Sequence, residues 1–263
     1  MHLNLSGRHA LVCGASGGIG RATAVELAEL GANVTVLARS ADALQTVAES
    51  LPRHHAAQLH NWRQVDMGDT AALAEAIEQL VAIRPVHILI NNTGGPPGGS
   101  AHGADRAAYE MAFRQHVLAG QTLLQAVLPG MRATGYGRLV NVISTSVKEP
   151  IAGLGVSNTI RAAVAGWAKT LAGELAADGI TVNNVLPGYT RTARLDSLLA
   201  AQAQASGRSI EAVAQGLIDS VPAKRFGEAA EVAAMVAFLC TPAAAYVNGV
   251  SIAVDGGRTR ALS

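Results

Sequence analysis

A glycine cluster near the start of the chain, Gly14 to Gly20 in the order Gly-Ala-Ser-Gly-Gly-Ile-Gly, constrains the fold more than any other segment. It follows the apolar run Leu11 to Cys13, which predicts a buried strand, and it precedes apolar residues at helical spacing that end at Gly31. A second strand, predicted at Val34 to Ala38, completes a βαβ unit. Strand, turn and helix in this order predict a cradle for a nucleotide phosphate.

Five residues of this turn are expected to contact the nucleotide. Glycine lacks a Cβ, so the turn bends tightly and lets backbone N–H groups approach a pyrophosphate at the positive end of the helix. The predicted contacts are Gly14, Ser16, Gly18, Ile19 and Gly20. A flexible loop without a ligand is the less favoured interpretation, because the flanking strand and helix are both present.

Three downstream motifs add to the glycine turn, whose spacing differs from the common dinucleotide fingerprint. They are Asn91-Asn92-Thr93-Gly94, Pro187-Gly188-Tyr189-Thr190-Arg191-Thr192 and Val254-Asp255-Gly256-Gly257. Together with the glycine turn, they resemble the short-chain dehydrogenase/reductase family. The likeness covers nearly the whole chain, and its four motifs occur in the family order.

The rest of the chain alternates apolar strands with amphipathic helices and shows no linker or internal repeat. This pattern predicts an α/β fold with a single Rossmann-type, doubly wound parallel sheet and helices on both faces. A long helix is expected from about Asp105 to Leu128, ended by Pro129 and Gly130. For residues 191–221, rich in Ala, Gln and Ser, the resemblance implies a helical lid over the substrate. A surface helical hairpin on the sheet edge is the alternative.

Length and charge limit the classes of partner. The chain has 263 residues, 15% of them charged, and a formal net charge of +1. It is long enough for one large core, and its charge gives no reason to expect nucleic acid or an anionic membrane as a partner. No apolar stretch has the length of a signal peptide or a membrane span, so a cytoplasmic location is predicted. Cys13 and Cys240 are expected to be buried small hydrophobic residues, and no metal site is predicted.

The end of the second strand indicates the cofactor. An NAD-preferring site usually carries a carboxylate there, whereas this chain has Arg39 and Ser40. Arg39 can pair with a 2′-phosphate, and Ser16 and Ser40 can add hydroxyl donors. NADP(H) is therefore favoured over NAD(H), and residues 1–263 are predicted to form one NADP(H)-binding domain. A solvent-facing Arg39 is the alternative, because Gly17 stands where many NADP-binding relatives carry a second basic group.

The family resemblance implies further cofactor contacts along the chain. Adenine and adenosine would lie beside Asp66, Met67, Asn92 and Gly94, and the nicotinamide with its carboxamide beside Pro187, Gly188, Thr190 and Thr192.

The resemblance also implies a catalytic set, from which this chain departs. Family members carry a Ser after the fifth strand, a Tyr-x-x-x-Lys pair on the next helix and an Asn on the helix before. Ser144 matches the family Ser. At the usual family separation from it stands Ser157, followed four residues later by Arg161, and His116 occupies the Asn position.

This departure removes the usual acid, because an aliphatic hydroxyl is a far weaker acid than a phenol and a guanidinium keeps its proton. Side chains four apart on a helix share a face, so Ser157 and Arg161 are expected to point together toward the nicotinamide ribose. Arg161 would donate to the ribose hydroxyls and add positive charge. Ser144 and Ser157 would donate hydrogen bonds to a carbonyl oxygen.

Three side chains are candidates for the proton donor. His116 is the predicted donor, since an unperturbed imidazole has a pKa near neutrality. A satisfied residue on the helix face is an equally weighted alternative. Tyr189 and Lys148 are the other candidates, although Tyr189 could cap the cofactor pocket and Lys148 could be solvated.

Three functions remain open from the sequence. The first is an NADPH-dependent ketone or aldehyde reductase, or the reverse alcohol dehydrogenase, acting on a small-molecule carbonyl or alcohol. The second is a non-catalytic NADP(H)-binding sensor or partner subunit, and the third is a dehydratase or isomerase.

The resemblance implies a homotetramer or homodimer that pairs the two long helices and the last strand. Small residues on the second long helix would allow close contact, although ordinary packing against the sheet is the alternative; they are Ala162, Ala163, Ala165, Gly166 and Ala172.

Overall fold

One seven-stranded sheet forms the centre of the molecule, as a computed structural model describes it for residues 1–262. The strands are β1 (His9–Cys13), β2 (Asn33–Ala38), β3 (His60–Gln64), β4 (Ile88–Asn92), β5 (Gly137–Val142), β6 (Ile180–Pro187) and β7 (Ser251–Val254). Neighbouring strands are parallel, in the order β3-β2-β1-β4-β5-β6-β7. The predicted doubly wound parallel sheet is confirmed.

Nine α-helices are found within residues 1–262. They are α1 (Gly18–Glu29), α2 (Ala41–Ser50), α3 (Thr70–Ile83), α4 (Arg106–Phe113), α5 (Ala119–Thr134), α6 (Gly155–Leu175), α7 (Ala193–Ser206), α8 (Ile210–Asp219) and α9 (Ala229–Leu239). A π-helical segment, Arg114–Leu118, joins α4 to α5. Short 3-10 turns lie at Thr145–Val147, Ala176–Asp178 and Pro242–Ala244.

Helices cover both faces of the sheet because successive strand residues point to opposite sides. In β1, Ala10 and Val12 join the apolar layer that contains side chains of α1, α2 and α9. Leu11 and Cys13 join the opposite layer, with side chains of α3, α5 and α6. All four are fully buried, and a buried aliphatic side chain of the size of Val12 contributes about 1.5–3 kcal/mol relative to an exposed one. A sheet buried on both faces therefore requires near-continuous apolar strands.

The strand order reverses beside β1. The chain runs outward from β1 through β2 to β3, then returns to place β4 on the other side of β1, with Val12 opposite Ile90. The turn after β1 and the turn after β4 therefore lie next to each other at the carboxyl edge of the sheet. In folds of this kind, that switch point is where ligands bind.

The long helix predicted from Asp105 to Leu128 is both interrupted and longer. The π-helical segment divides it, and α5 continues through Pro129 to Thr134. Ending the helix at Pro129 is wrong, because Val127 and Met131 are buried on either side of the proline and hold the helix against the core. The proline leaves the Gln125 carbonyl without its usual donor four residues on. The helix ends instead at Gly135, which adopts a left-handed φ of 58°.

Residues 191–221 contain α7 and α8, which share a small apolar cluster of their own. Leu195, Leu199 and Ala203 of α7 pack with Val213 of α8 and with Phe226. This cluster is separate from the two layers that cover the sheet.

The two cysteines are buried in the core. Neither Cys13 nor Cys240 exposes any surface, and desolvation raises the pKa of each thiol to about 12. Both therefore pack as small hydrophobic residues, as predicted.

Within residues 1–262 no helix combines the length and the apolar character that crossing a bilayer needs.

Candidate functional site

A cavity of about 790 Å³ opens at the carboxyl ends of the strands. Of the residues predicted to bind the cofactor or to form the catalytic set, Gly20 and His116 do not line it. Those that do are Gly14, Ser16, Gly18, Ile19, Arg39, Ser40, Asp66, Met67, Asn92, Gly94, Ser144, Ser157, Arg161, Pro187, Gly188, Thr190 and Thr192. These residues come from the ends of six strands and from two helices, and they meet around one space.

The glycine turn is closed by backbone contacts that leave no room for a side chain. Gly14 has a φ of 60°, and a Cβ there would collide with the Asn92 carbonyl. A Cβ on Gly20 would collide with the Gly14 carbonyl, so Gly20 shapes the turn without lining the cavity. Asn92 donates from Nδ2 to the carbonyl oxygens of Cys13 (3.3 Å) and Gly14 (3.2 Å). The side chain at the end of β4 therefore fixes the turn after β1.

Helix α1 begins at this turn with its N-terminal donors uncapped. Its N-cap is Gly17, which has no side chain to accept from them, and its first turn carries no acidic residue. The first N–H groups of a helix have no intrahelical partner, and they carry the positive end of the helix dipole. The start of α1 therefore presents donors to an anion in the cavity, which fits a pyrophosphate.

The end of β2 carries a basic residue and a free hydroxyl. Arg39 is exposed, lines the cavity and forms no ion pair with a described residue. Ser40 is the N-cap of α2, but its hydroxyl makes no capping hydrogen bond. The carboxylate of Asp66 at the neighbouring strand end accepts from the Gly68 N–H at 2.8 Å. Arg39 and Ser40 together fit a 2′-phosphate group.

Three predicted catalytic residues meet where β5 and α6 approach. Ser144 follows β5, and its Oγ accepts from the Ser146 N–H at 3.1 Å. Ser157 and Arg161 lie one helical turn apart near the start of α6, and both are buried. All three line the cavity. The structure therefore places Ser157 and Arg161, which the helical spacing put on one face, in the same cavity as Ser144.

The Arg161 guanidinium is buried without a carboxylate partner within residues 1–262. It donates from Nη1 to the Val142 carbonyl at 3.0 Å and from Nη2 to the Thr93 carbonyl at 3.4 Å, while Nε has no partner. Desolvation, together with the charge of Arg194, lowers the pKa of Arg161 to about 10. The group therefore remains positively charged at neutral pH and holds that charge inside the site.

His116 lies in the π-helical segment Arg114–Leu118 and does not line the cavity. Its Nδ1 makes a 2.5 Å hydrogen bond with Thr93 Oγ1. Burial, followed by the charge of Arg161, lowers the pKa of His116 to about 3. The near-neutral pKa expected for this imidazole is therefore wrong, because the sequence did not reveal its burial beside a guanidinium. At pH 7 the ring is neutral.

Of the three proton-donor candidates, Tyr189 alone lines the cavity. Its ring packs edge-on against Phe226, and the guanidinium of Arg258 lies 4.8 Å from the ring centroid. Lys148 is half-buried just beyond the Thr145–Val147 turn and does not line the cavity.

Two cavity-lining arginines were not predicted as site residues. Arg194 lies on the first turn of α7, directly after the cofactor motif, and donates from Nη2 to the Pro96 carbonyl at 2.9 Å. Arg258 follows the Gly256-Gly257 turn and donates from Nη1 to Thr145 Oγ1 at 3.3 Å. Their only sequence signal was proximity to motifs assigned to the cofactor.

Known proteins resemble this chain over nearly its full length. A family model described as enoyl-(acyl carrier protein) reductase matches residues 14–259. The chain is 29% identical over 262 residues to the NADPH-dependent reductase BacG of Bacillus subtilis, covering 98% of this chain and 100% of that protein. It is 33% identical over 255 residues to the 3-oxoacyl-(acyl-carrier-protein) reductase FabG of Vibrio cholerae, covering 97% and 98%.

A solved structure also resembles this chain over its full length. The L-sorbose reductase of Gluconobacter frateurii, complexed with NADPH and L-sorbose, superimposes with a TM-score of 0.92 at 29% identity, covering 100% of both chains.

The sheet order, the closed glycine turn and the basic end of β2 define a dinucleotide-binding α/β fold. The chain belongs to the enoyl-(acyl carrier protein) reductase family of short-chain dehydrogenases/reductases, as its motifs implied. The predictions of an NADP(H)-dependent short-chain oxidoreductase and of NADP(H) as the favoured cofactor are confirmed.

Proposed function

We propose that this chain reduces a ketone or aldehyde with NADPH, or catalyses the reverse oxidation, through Ser144, Ser157 and Arg161 in place of the family Tyr-x-x-x-Lys pair. The observation that carries the proposal is that all three side chains line the cavity into which the glycine turn opens. The reaction partner is a small-molecule carbonyl or alcohol that enters the same cavity.

The chain's own residues stabilise charge during the reaction. Bound NADPH supplies the hydride. The hydroxyls of Ser144 and Ser157 donate hydrogen bonds to the substrate oxygen as negative charge develops on it. Arg161 adds a positive charge that two backbone carbonyls hold in position. Fixed donors of this kind stabilise the transition state without reorganising during the reaction.

His116 acts in this proposal as a positioning residue. It is hydrogen-bonded to the Thr93 hydroxyl, and the Thr93 carbonyl accepts from Arg161. The neutral imidazole therefore supports the segment that orients the guanidinium. Its lowered pKa argues against an imidazolium acid near neutral pH. Tyr189 is the donor candidate to test first, because it lines the cavity.

Residues 191–221 serve as the substrate lid of a single domain in this proposal. Leu195 and Leu198 of α7 line the cavity, which supports a covering role for their helix. A Cβ on Gly18 would lie 3.2 Å from Thr192 Cγ2, so the base of α7 touches the cofactor turn. Closure of α7 over the cavity would exclude water from the reacting atoms.

We further propose a homodimer or homotetramer that uses α6. Ala162 and Gly166 are exposed on this helix, and the exposed apolar residues Phe113 and Leu118 lie on the neighbouring helical segment. Ala172, which was expected on the same surface, is buried and therefore does not belong to it.

We also propose a cytoplasmic location. It is supported by the two buried free thiols, which suit a reducing compartment.

The test is NADPH oxidation across a panel of ketones and aldehydes, beside direct titration of NADPH by fluorescence. Wild-type turnover that falls by about 100-fold in Ser144→Ala, as loss of one transition-state donor predicts, supports the proposal. Activity confined to a Ser157→Tyr/Arg161→Lys double variant would instead identify a non-catalytic NADP(H)-binding protein.

A variant His116→Gln should leave the pH profile of kcat/KM between about pH 5.5 and 8 unchanged. Tyr189→Phe tests proton delivery, with Tyr109→Phe as the control outside the cavity.

A further inference from the structure

Three guanidiniums, those of Arg161, Arg194 and Arg258, line the catalytic end of the cavity. None of them forms an ion pair with a carboxylate in residues 1–262. Asp66 is the one acidic residue among the described residues that line the cavity, and it follows β3, four strand positions away from β5, which Ser144 follows. The catalytic end is therefore positively charged without internal compensation.

Arg161 and Arg194 approach each other closely for two like charges. From the point where a Cβ on Gly95 would sit, the Nη2 of Arg161 is 3.6 Å away and the Nη2 of Arg194 is 3.7 Å away. The sum of the two, 7.3 Å, is the largest separation that these nitrogens can have. Like charges repel at this range, and the lowered pKa of Arg161 has the charge of Arg194 as its second cause after burial.

Each guanidinium also has donors to spare. A guanidinium has five N–H donors. Arg194 has one hydrogen bond, to the Pro96 carbonyl, and Arg258 has one, to Thr145 Oγ1. The Nε of the buried Arg161 has no partner. Arg194 is exposed and Arg258 is half-buried, so solvent can accept from their spare donors until a ligand replaces it. Buried donors are almost always satisfied in proteins, so the buried Nε of Arg161 fits an acceptor that a ligand brings.

We infer that the substrate carries a carboxylate beside its reacting carbonyl, and that Arg194 and Arg258, with Arg161, bind this carboxylate. The inference rests on the proposed reductase function and names its substrate class. A carboxylate has two oxygens about 2.2 Å apart, each able to accept at about 2.8 Å, so it can span Arg161 and Arg194, whose Nη2 atoms are at most 7.3 Å apart. Arg258 lines the same end of the cavity. The cofactor phosphates have separate partners, namely the glycine turn and Arg39.

The position of the cluster fixes the substrate within the cavity. Ser144 lies next to Thr145, to which Arg258 donates, and Ser157 lies one turn from Arg161. A substrate held by its carboxylate on the arginines therefore presents an adjacent carbonyl to the two serines. A 2-oxo acid has this arrangement of charge and carbonyl.

The experiment uses oxamate, an unreactive 2-oxo acid analogue, and its neutral counterpart oxamide, each titrated calorimetrically into the full chain saturated with NADPH. We expect oxamate to bind at least 10-fold more tightly than oxamide. The variants Arg194→Gln and Arg258→Gln should each lose at least 10-fold of the oxamate affinity and keep NADPH affinity. Arg132→Gln, which removes a surface arginine paired with Asp178, is the matched control and should change neither.

A second arm compares kcat/KM for phenylpyruvate and its methyl ester. We expect kcat/KM to be at least 10-fold higher for the acid than for the ester in the wild type, and this ratio to fall in Arg194→Gln and Arg258→Gln.

Equal affinity for oxamate and oxamide, with NADPH bound, overturns the inference while leaving the reductase function intact. Loss of NADPH affinity in Arg194→Gln with oxamate affinity retained also overturns it, because Arg194 then binds cofactor phosphate. Absence of NADPH binding by the wild type contradicts the proposed function itself.

Discussion

Arg161 donates from Nη1 to the carbonyl oxygen of Val142 over 3.0 Å, which ties helix α6 to the end of strand β5. Its Nη2 reaches the Thr93 carbonyl, just after β4. A planar guanidinium can reach two acceptors at once, whereas a lysine ammonium is a single point charge. Arg161 thus joins two neighbouring strand ends beside the proposed reacting centre.

The variant Arg161→Lys should lose this double contact. We expect the free energy of unfolding to fall by about 1–3 kcal/mol, since one buried carbonyl loses its donor. Turnover should fall at least 10-fold, and urea denaturation with NADPH oxidation would measure the two effects. Lys169→Arg on the same helix, at an exposed position, is the control. Wild-type stability of Arg161→Lys would show that the guanidinium does not hold the strand ends.

The variant Arg39→Ala should weaken NADPH binding by about 10-fold or more and leave NADH binding nearly unchanged. The physical reason is that a charge-assisted pair with the 2′-phosphate contributes about 1.5–3 kcal/mol. Fluorescence titration of both nucleotides gives the ratio. Arg53→Ala removes an exposed arginine that does not line the cavity and should not alter that ratio. An unchanged ratio in Arg39→Ala would mean that Arg39 only faces solvent.

The variant Gly20→Ala should abolish NADPH binding and lower stability. A methyl group there meets the Gly14 carbonyl, and the turn must open to accept it. The cost should reach about 1–3 kcal/mol, typical of overpacking. Gly216→Ala is the matched control: this helical glycine on α8 has only the flexible Arg208 side chain within 4 Å, so alanine should be neutral or stabilising. Retention of NADPH affinity by Gly20→Ala would argue against the cradle.

Stability should fall as the pH falls below about 6.5. Burial lowers the pKa of His9 to about 4 and that of His116 to about 3, so both rings stay neutral in the native state while the unfolded chain takes up protons. The unfolded chain therefore binds more protons across this window, and the free energy of unfolding decreases by about 2 kcal/mol per histidine between pH 6.5 and 5. Burial also lowers the pKa of His60 and of His87, which adds in the same direction.

Urea denaturation at pH 7.5 and pH 5 measures this effect. In His9→Gln the pH dependence should become shallower even if the variant is less stable at both values, because one proton-binding group has been removed. His102→Gln, at an exposed position, should keep the wild-type dependence. If the free energy of unfolding of His9→Gln changed with pH as much as that of the wild type, His9 would not be a source of the pH dependence.

The variant Gly166→Arg should convert the proposed oligomer to a monomer. Gly166 is exposed on α6 with nothing within 4 Å of a Cβ built on it, so a large charged side chain fits the isolated chain but not a close helix pair. Light scattering at micromolar concentration gives the mass. Gly216→Arg is the control on α8. A monomeric wild type would overturn the proposal.

Most of the fold could be predicted because strand and helix patterns are local. The run from Leu11 to Cys13 predicts strand β1, and the glycines after it predict the turn and the start of α1, from neighbouring residues alone. The end of the long helix could not be predicted from Pro129. Burial of Val127 and Met131, which depends on the opposite layer, decided whether the helix continued.

The sequence by itself determined the parallel sheet, the nucleotide turn and the pairing of Ser157 with Arg161, because residue spacing along a helix or strand sets which side chains share a face. Only the tertiary structure decided the ionisation of His116 and the grouping of Arg194 with Arg161. Burial and the distance between charges set a pKa, and both arise when segments far apart in sequence pack together. Local pattern therefore specified the scaffold, and packing specified the electrostatics of the site.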